Sequence, residues 1–320
     1  MHAGLSGIFA ACDSVDNNID DSRKEGVADG LASEQQPWMD RAEHRLDHLP
    51  RCEEIFPGFT HYRRWATGRQ IPVLRLEPLP LASLSYAGAM SALLAELLLK
   101  RVRVNGSAPL YTFYDLDSGA RIELSATSFS NWVDKTSNLL VDDVAVDEGD
   151  VISMPLALEA PGHWLTAVWE LACWQVGLVI DLTSPTVPVA VVTGRNWEGH
   201  AARDVFACAL DPMGFGFGEP LPDGIRDYAL EVRRHADRFF GPPPDGEATA
   251  WVDAERTLTQ ADLVKVDGPP ARRLVPAREP GTTCRDGVVT ALVTGGSAVV
   301  VVGGDTDQMA RIADSERVTT

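Results

Sequence analysis

Three short apolar runs constrain this chain more than any other feature: LVIDL at 178–182, VAVVTG at 189–194 and DVFACAL at 204–210. Each is apolar nearly throughout, as expected of strands buried on both faces of a parallel sheet. Patterns of helical period precede and follow them. From Ser125 or Thr127, either of which can cap a helix, Phe129, Trp132, Val133, Thr136, Leu139 and Leu140 fall at i, i+3, i+4, i+7 spacing. A turn at Glu148-Gly149-Asp150 leads into a strand over Val151 to Met154, and Pro161 opens a second helix that ends before Gly177. That helix carries Trp164, Trp169 and Trp174 and is apolar nearly all round, so it belongs in the interior. Strand and helix taking turns in this way predict an α/β fold with a doubly wound, mostly parallel sheet.

The remaining elements fit this alternation. LYTFYDLDSGARIEL, beginning at Leu110, reads as a hairpin about Asp117-Ser118-Gly119, with glycine supplying the positive φ of such a turn. Between Asp223 and Gly241 the spacing predicts an amphipathic helix with Ile225, Tyr228, Ala229, Val232, Ala236 and Phe239 inward. After prolines at 242–244 come a strand at 248–252 and a short helix from Thr259 to Val264. Residues 267–286 show no clear element. GVVTALVTGGSAVVVV then closes with helix, turn and strand, and a polar helix from Thr306 to Arg317 follows.

Residues 1–89 differ from the rest, because Pro, Gly, Asp and Arg are scattered through them without sustained periodicity. They predict a poorly ordered N-terminal extension. The character changes at MSALLAELLLKRV, where Leu93, Leu94, Leu97 and Leu98 fall at helical spacing, so a globular domain is expected over 90–320 and Met90 is an alternative start. No apolar run approaches the ~20 residues that cross a bilayer, and the N-terminus lacks the basic start of a secretory signal. Both observations predict a cytoplasmic protein that does not span a membrane. Five cysteines, at 12, 52, 173, 208 and 284, are odd in number and widely spaced, which speaks against structural disulfides and zinc. With Lys+Arg 28 against Asp+Glu 46, the net charge of −18 repels phosphodiesters, so no nucleic-acid partner is expected.

The segment from Arg121 to Pro185 resembles the opening of adenylate-forming enzymes, the superfamily of acyl-CoA synthetases, luciferases and peptide-synthetase adenylation domains. Ile122 to Leu124, the helix through Trp132, Gly149-Asp150-Val151, the tryptophan helix and Gly177 to Leu182 follow in the order of that family's opening phrases. VVTALVTGGSAVVVVGG followed by IADSERVT is similar to a later stretch of the same family. More closely, residues 90–320 resemble a small actinobacterial family that keeps only this front part. The resemblance implies the fold of the family's N-terminal subdomain.

The same resemblance places the family's triphosphate-binding loop at Trp251 to Leu258. Such a loop is rich in Gly, Ser and Thr, carries a Lys, and aims backbone N–H groups at the phosphates. Here it reads WVDAERTL, with Asp253 and Glu255 to repel a polyphosphate and only Arg256 and Thr257 to attract one. None of the four lysines, Lys24, Lys100, Lys135 and Lys265, lies in a matching context. The later motifs that hold magnesium, ribose and the catalytic lysine have no counterpart before Thr320. The expectation is therefore a non-catalytic relative that binds a small molecule or a protein, without catalytic, cofactor or metal residues. The alternative is a half-enzyme of an acyl-adenylating ligase, completed by a partner chain.

Other candidate sites weigh less. Gly214-Phe215-Gly216-Phe217-Gly218 reads as a mobile surface loop, and Gly295-Gly296-Ser297 as a helix C-cap before a strand. Cys208 with His235 could pair nucleophile and base, but Cys208 sits in an apolar run where cysteine acts as a small hydrophobe. His163 reads as a surface residue at a helix N-terminus, and the three tryptophans as core. Finally, Ala298 to Val302 is expected on an open flank that a second copy, another protein or the terminal helix would cover, a homodimer being favoured.

Overall fold

The computed structural model describes residues 93–200 and 202–319, together with two short strands upstream, β1 (Tyr62–Arg64) and β2 (Gln70–Pro72), which pair antiparallel. Apart from these strands, the poorly ordered extension expected over 1–89 lies outside the described residues, as does the start proposed at Met90.

Helix α1 (Leu94–Asn105) leads into the hairpin of β3 (Pro109–Asp115) and β4 (Ala120–Ser125), whose turn has Gly119 at φ 73° as its sequence requires. Ser125 caps α2 (Ala126–Leu139) by accepting the Ser128 amide at 3.1 Å. Phe129, Val133, Thr136 and Leu139 are buried on one face of α2, as their spacing demands. After β5 (Val151–Ser153) come the short α3 (Pro155–Glu159) and the tryptophan helix α4 (Trp164–Gln175). The second helix therefore starts three residues after Pro161, because the His163 ring supplies the cap by accepting the Leu165 amide.

Beyond the β1–β2 pair, the described strands form two sheets where the alternation suggested one. The larger has the order β11-β10-β6-β5-β7-β8-β9. It comprises β5, β6 (Val179–Asp181), β7 (Ala190–Thr193), β8 (Asp204–Ala207), β9 (Ile225–Asp227), β10 (Thr249–Val252) and β11 (Thr257–Thr259). All its pairings are parallel except β10 with β11. The smaller has the order β12-β13-β3-β4, with β12 (Arg272–Pro276), β13 (Ser297–Val302) and β3 parallel and β4 antiparallel at its edge. Helix α4 packs against β6 of one sheet and β3 of the other, and every residue from Trp164 to Trp174 is buried. A helix between two layers has no solvent face, which is why its sequence is apolar all round. Among the described residues no helix is long and apolar enough to cross a membrane.

Three expectations are corrected. The helix expected over 223–241 exists only as α5 (Tyr228–Val232), because Ile225–Asp227 pairs with β8 and Asp227 caps the helix by accepting the Ala229 amide. Beyond it, Lys135 donates to the His235 carbonyl at 2.6 Å and Asn138 to the carbonyls of Ala236 and Arg238. Side chains of α2 thus claim carbonyls that a longer helix would have used for its own amides. The featureless stretch 267–286 contains β12, hidden because Arg272 and Arg273 read as surface; Arg272 lies along the sheet and bonds Thr112 and Glu316. Ala298 to Val302 is no flank: β13 is paired on both sides, by β12 and by β3. One face of β13 is covered by the terminal helix α6 (Thr306–Ser315), which seats Ile312 and Met309 against Val299 and Val301. Association through an open edge of β13 thereby loses its ground.

Candidate functional site

In an open parallel sheet, ligands bind beyond the carboxyl ends of the strands, where the winding reverses. Here the reversal falls at β5, from which the chain passes to β6 on one side and then back across to β7 on the other. A cleft of about 420 Å³ opens at that point, within the size range of small-molecule sites. Its walls come from both sheets. Glu159, Ala160 and Pro161 follow β5, and Leu210 and Pro212 follow β8; Asp115, Ala277 and Val302 stand at the ends of β3, β12 and β13. Phe113, Ser118, Ala120 and His163 complete the lining.

Glu159 joins the two strands at the reversal. One carboxylate oxygen accepts the Thr193 hydroxyl at 2.6 Å and the Gly194 amide at 3.3 Å, and the other accepts the Asn196 side chain at 3.1 Å. A Cβ at position 194 would stand 2.5 Å from that second oxygen, so any other residue there would push the carboxylate aside. Asp115 accepts the Ser118 hydroxyl at 2.6 Å and the amides of Asp117 and Ser118. Partial burial works to raise its pKa, but these hydrogen bonds outweigh it and hold the carboxyl below its ordinary value. Among the described residues no lysine or arginine lines the cleft.

His163, expected on the surface, is only 5% exposed. Phe113 meets its ring edge-on at 4.8 Å between centroids, and Trp164 stacks on it at 5.8 Å. Burial pushes its pKa down to about 4, against the pull of Asp115, Asp211 and the Leu210 carbonyl, which approaches the ring without completing a well-formed hydrogen bond. The ring is therefore neutral at pH 7. Since Nδ1 accepts the Leu165 amide at 3.2 Å, the proton sits on Nε2, and that buried atom has no hydrogen-bond partner.

The segment that the resemblance assigned to phosphate is a tight turn between β10 and β11. Asp253 organises it: Oδ1 accepts the amides of Glu255 and Arg256 at 2.9 and 2.8 Å, and Oδ2 accepts the Trp251 indole at 2.7 Å and the Arg256 guanidinium at 3.1 Å. Burial alone would raise the Asp253 pKa, but these four donors outweigh it and lower it. The turn's own carboxylate thus occupies the amides that an anion would need.

Sequence reasoning missed one further group. Glu170, in the middle of α4, is fully buried, and burial pushes its pKa up to about 8 while its Cys284 neighbour works the other way. One of its oxygens has no hydrogen-bond partner. The available signal was a lone carboxylate in an otherwise apolar, tryptophan-rich helix.

The other candidates resolve simply. Cys208 is buried, which drives its thiol pKa up, and His235 faces Asp142 and Asp143 at 3.7 and 3.5 Å. The three tryptophans of α4 are core, with Trp164 donating to the Pro212 carbonyl and Trp174 to that of Ala250. The 214–218 loop is tied down, since Asp227 accepts the Phe217 amide and Arg233 donates to the Gly214 carbonyl. Gly295, at φ 76°, ends its helix as expected. Lys265 pairs with Asp262 and Lys135 with Asp237.

No family model matches the chain. A Mycobacterium tuberculosis (strain ATCC 25618 / H37Rv) protein described as a TIGR03089 family protein is 32% identical over 237 residues, covering 68% of this chain and 93% of that protein. Among solved structures, a Brucella canis acyl-CoA synthetase shares 14% identity with a TM-score of 0.54, covering 71% of this chain and 46% of the synthetase. A fatty acyl CoA synthetase from Mycobacterium tuberculosis shares 12% at a TM-score of 0.50, covering 71% and 48%. Coronafacic acid ligase from Pectobacterium brasiliense shares 10% at a TM-score of 0.50, covering 70% and 48%. At these identities the likeness is one of fold, that of the N-terminal part of the synthetases. The chain spans about half the length of the solved enzymes it matches.

Proposed function

The chain belongs to the TIGR03089 family and carries the fold of the N-terminal part of acyl-CoA synthetases, and we propose that it is a non-catalytic relative of adenylate-forming enzymes that holds a small molecule in its cleft. One observation carries this reading. Adenylation needs a triphosphate cradled by backbone amides, and in the turn assigned to that task the amides of Glu255 and Arg256 already bond the Asp253 carboxylate. A phosphate entering there meets an ionised group of like charge and no free amide donor from that pair.

The test is adenylation itself. The purified protein, given ATP, magnesium and a panel of carboxylic acids, should exchange no pyrophosphate into ATP and should not bind ATP at millimolar concentration. Acid-dependent exchange above a heat-killed control overturns the reading. The second reading is a half-enzyme completed by another chain, favoured by the span of about half of each matched synthetase. Such a partner would have to draw Asp253 away from four hydrogen bonds inside this chain. A cytoplasmic location, and association with a second copy or another protein, belong to the same proposal.

A further inference from the structure

We infer that the free edge of β4 is a self-association surface, along which a second copy of this chain pairs antiparallel about a two-fold axis at Ile122; this rests on the association proposed above, gives it a place in the fold, and does not need the chain to be non-catalytic. A sheet edge is a row of unpaired amides and carbonyls, and proteins blunt such edges by shortness, proline or cover. Three of the four edges of the two larger sheets are blunted in this way. Strands β9 and β11 are three residues long, and β12 ends in Pro276 while Thr319 donates to its Arg272 carbonyl at 2.9 Å. The fourth edge is different. Strand β4 runs six residues without a proline, and among the described residues β3 is its only strand partner.

The side chains of β4 select the occupant. Ile122 and Leu124 pack into the main core from one face of the strand, and Arg121 and Glu123 alternate with them on the other. With the axis at Ile122, Arg121 faces the partner subunit's Glu123 and Glu123 faces the partner subunit's Arg121. Opposite charges directly across an antiparallel pair attract, and the two-fold axis makes that contact twice. With the axis moved to Arg121 or to Glu123, a charge would face its own copy, so the row favours one register. Both charges are part-exposed and already oriented, because Arg121 pairs with Glu316 at 2.8 Å and with Glu123 at 2.9 Å, and Glu123 lies 3.4 Å from Arg272. Little side-chain freedom is left to lose on pairing. The net charge of −18 on each copy opposes approach, but at physiological ionic strength exposed charges more than about 8 Å apart are largely screened. In the same register Ala120 meets the partner subunit's Leu124. Since Ala120 lines the cleft, pairing sets that leucine at the wall of the small-molecule space.

The experiment uses the full chain. A short edge makes a small interface, so sedimentation velocity and native mass spectrometry should show a dimer with a dissociation constant of about 10 µM. Arg121→Glu sets two acidic pairs across the axis and Glu123→Arg sets two basic ones, so each variant alone should self-associate about tenfold more weakly or less still. Mixed in equal amounts, the two variants should form a heterodimer, because each contact then joins one acidic and one basic side chain. Hydrogen exchange on the wild type needs no substitution: the amides of 120–125 should slow as concentration rises through the dissociation constant, while those of β13, paired on both sides, should not change. A wild-type chain that stays monomeric at about 100 µM overturns the inference. So does a mixture that stays monomeric while both variants melt cooperatively, or exchange at 120–125 that ignores concentration. A dimer that both variants leave intact defeats this surface and keeps the association proposed above, whereas pyrophosphate exchange on the same samples bears on the non-catalytic reading alone.

Discussion

Helix α4 and its cap carry two titratable groups that burial keeps neutral at pH 7. His163 caps its start and lines the cleft; Glu170 sits at mid-helix, sealed between the sheets. Burial lowers the histidine pKa to about 4 and raises the glutamate pKa to about 8, so one physical cause produces proton linkages of opposite sign. The His163 ring borders the cleft, whereas Glu170 lies in the core with one unpaired oxygen. Nε2 of His163 and one oxygen of Glu170 are alike in lacking a hydrogen-bond partner, and each is a cost to stability.

The sharpest way to break this comparison is through Glu170. Its folded pKa of about 8 exceeds its ordinary value of 4.5, so the folded state holds a proton that the unfolded state has released. Stability should fall as pH rises between those two values, by a few kcal/mol in all, and should level off above. Glu170→Gln keeps the shape and should remove the slope. Urea titrations from pH 5 to pH 9 would show it, and a wild-type protein with no loss of stability over that range would rule it out.

His163 should act in the opposite direction and somewhat less strongly. Its folded pKa of about 4 lies below its ordinary 6.5, so the unfolded state takes up the proton first as pH falls. Stability should drop between pH 6.5 and 4 by about 3 kcal/mol at most. Asparagine at this position can still cap the helix, so His163→Asn should abolish that acid loss at little cost. In the wild type the two slopes oppose each other from pH 4.5 to 6.5, and only the glutamate slope remains above. Stability that climbs from pH 6.5 to 8 would contradict the Glu170 assignment.

The smallest effect concerns the turn at Asp253, a carboxylate of the ionised kind with four donors and a paired arginine. Asp253→Ala should cost about 1–3 kcal/mol, read from the denaturant midpoint, because buried donors lose their acceptor. It should also leave pyrophosphate exchange at background, since neither a glycine-rich loop nor a lysine is created. Exchange gained by this single change would mean that the carboxylate was the only barrier to nucleotide chemistry.

Much of the fold was legible because its signals are local. The hairpin about Gly119, the cap at Ser125, the buried tryptophan helix and the runs at 178–182, 189–194 and 204–210 all depend on neighbours a few residues apart. The failures lie where a distant residue intervenes. Lys135 and Asn138 stop a helix a hundred residues away, and Arg272 turns a basic stretch into a strand by reaching Glu316. Among the site residues, the charge of WVDAERTL drew attention to the turn after β10, yet the four bonds of Asp253 were invisible in it. Glu159 and Asp115 drew no attention, since a carboxylate at the end of a helix or strand is common on any surface.

Charge, periodicity and turn residues by themselves determined the α/β class, the buried character of α4 and the position of the turn after β10, because hydrophobic patterning acts over one or two turns of chain. Only tertiary structure decided that the strands divide into two sheets, that β13 is central, and that Asp115, Glu159 and His163 share one cleft. Strand order is set by which apolar faces can cover one another across the whole domain. The carboxyl ends of β3 and β5 meet only after that packing is complete, and no spacing along the chain records it.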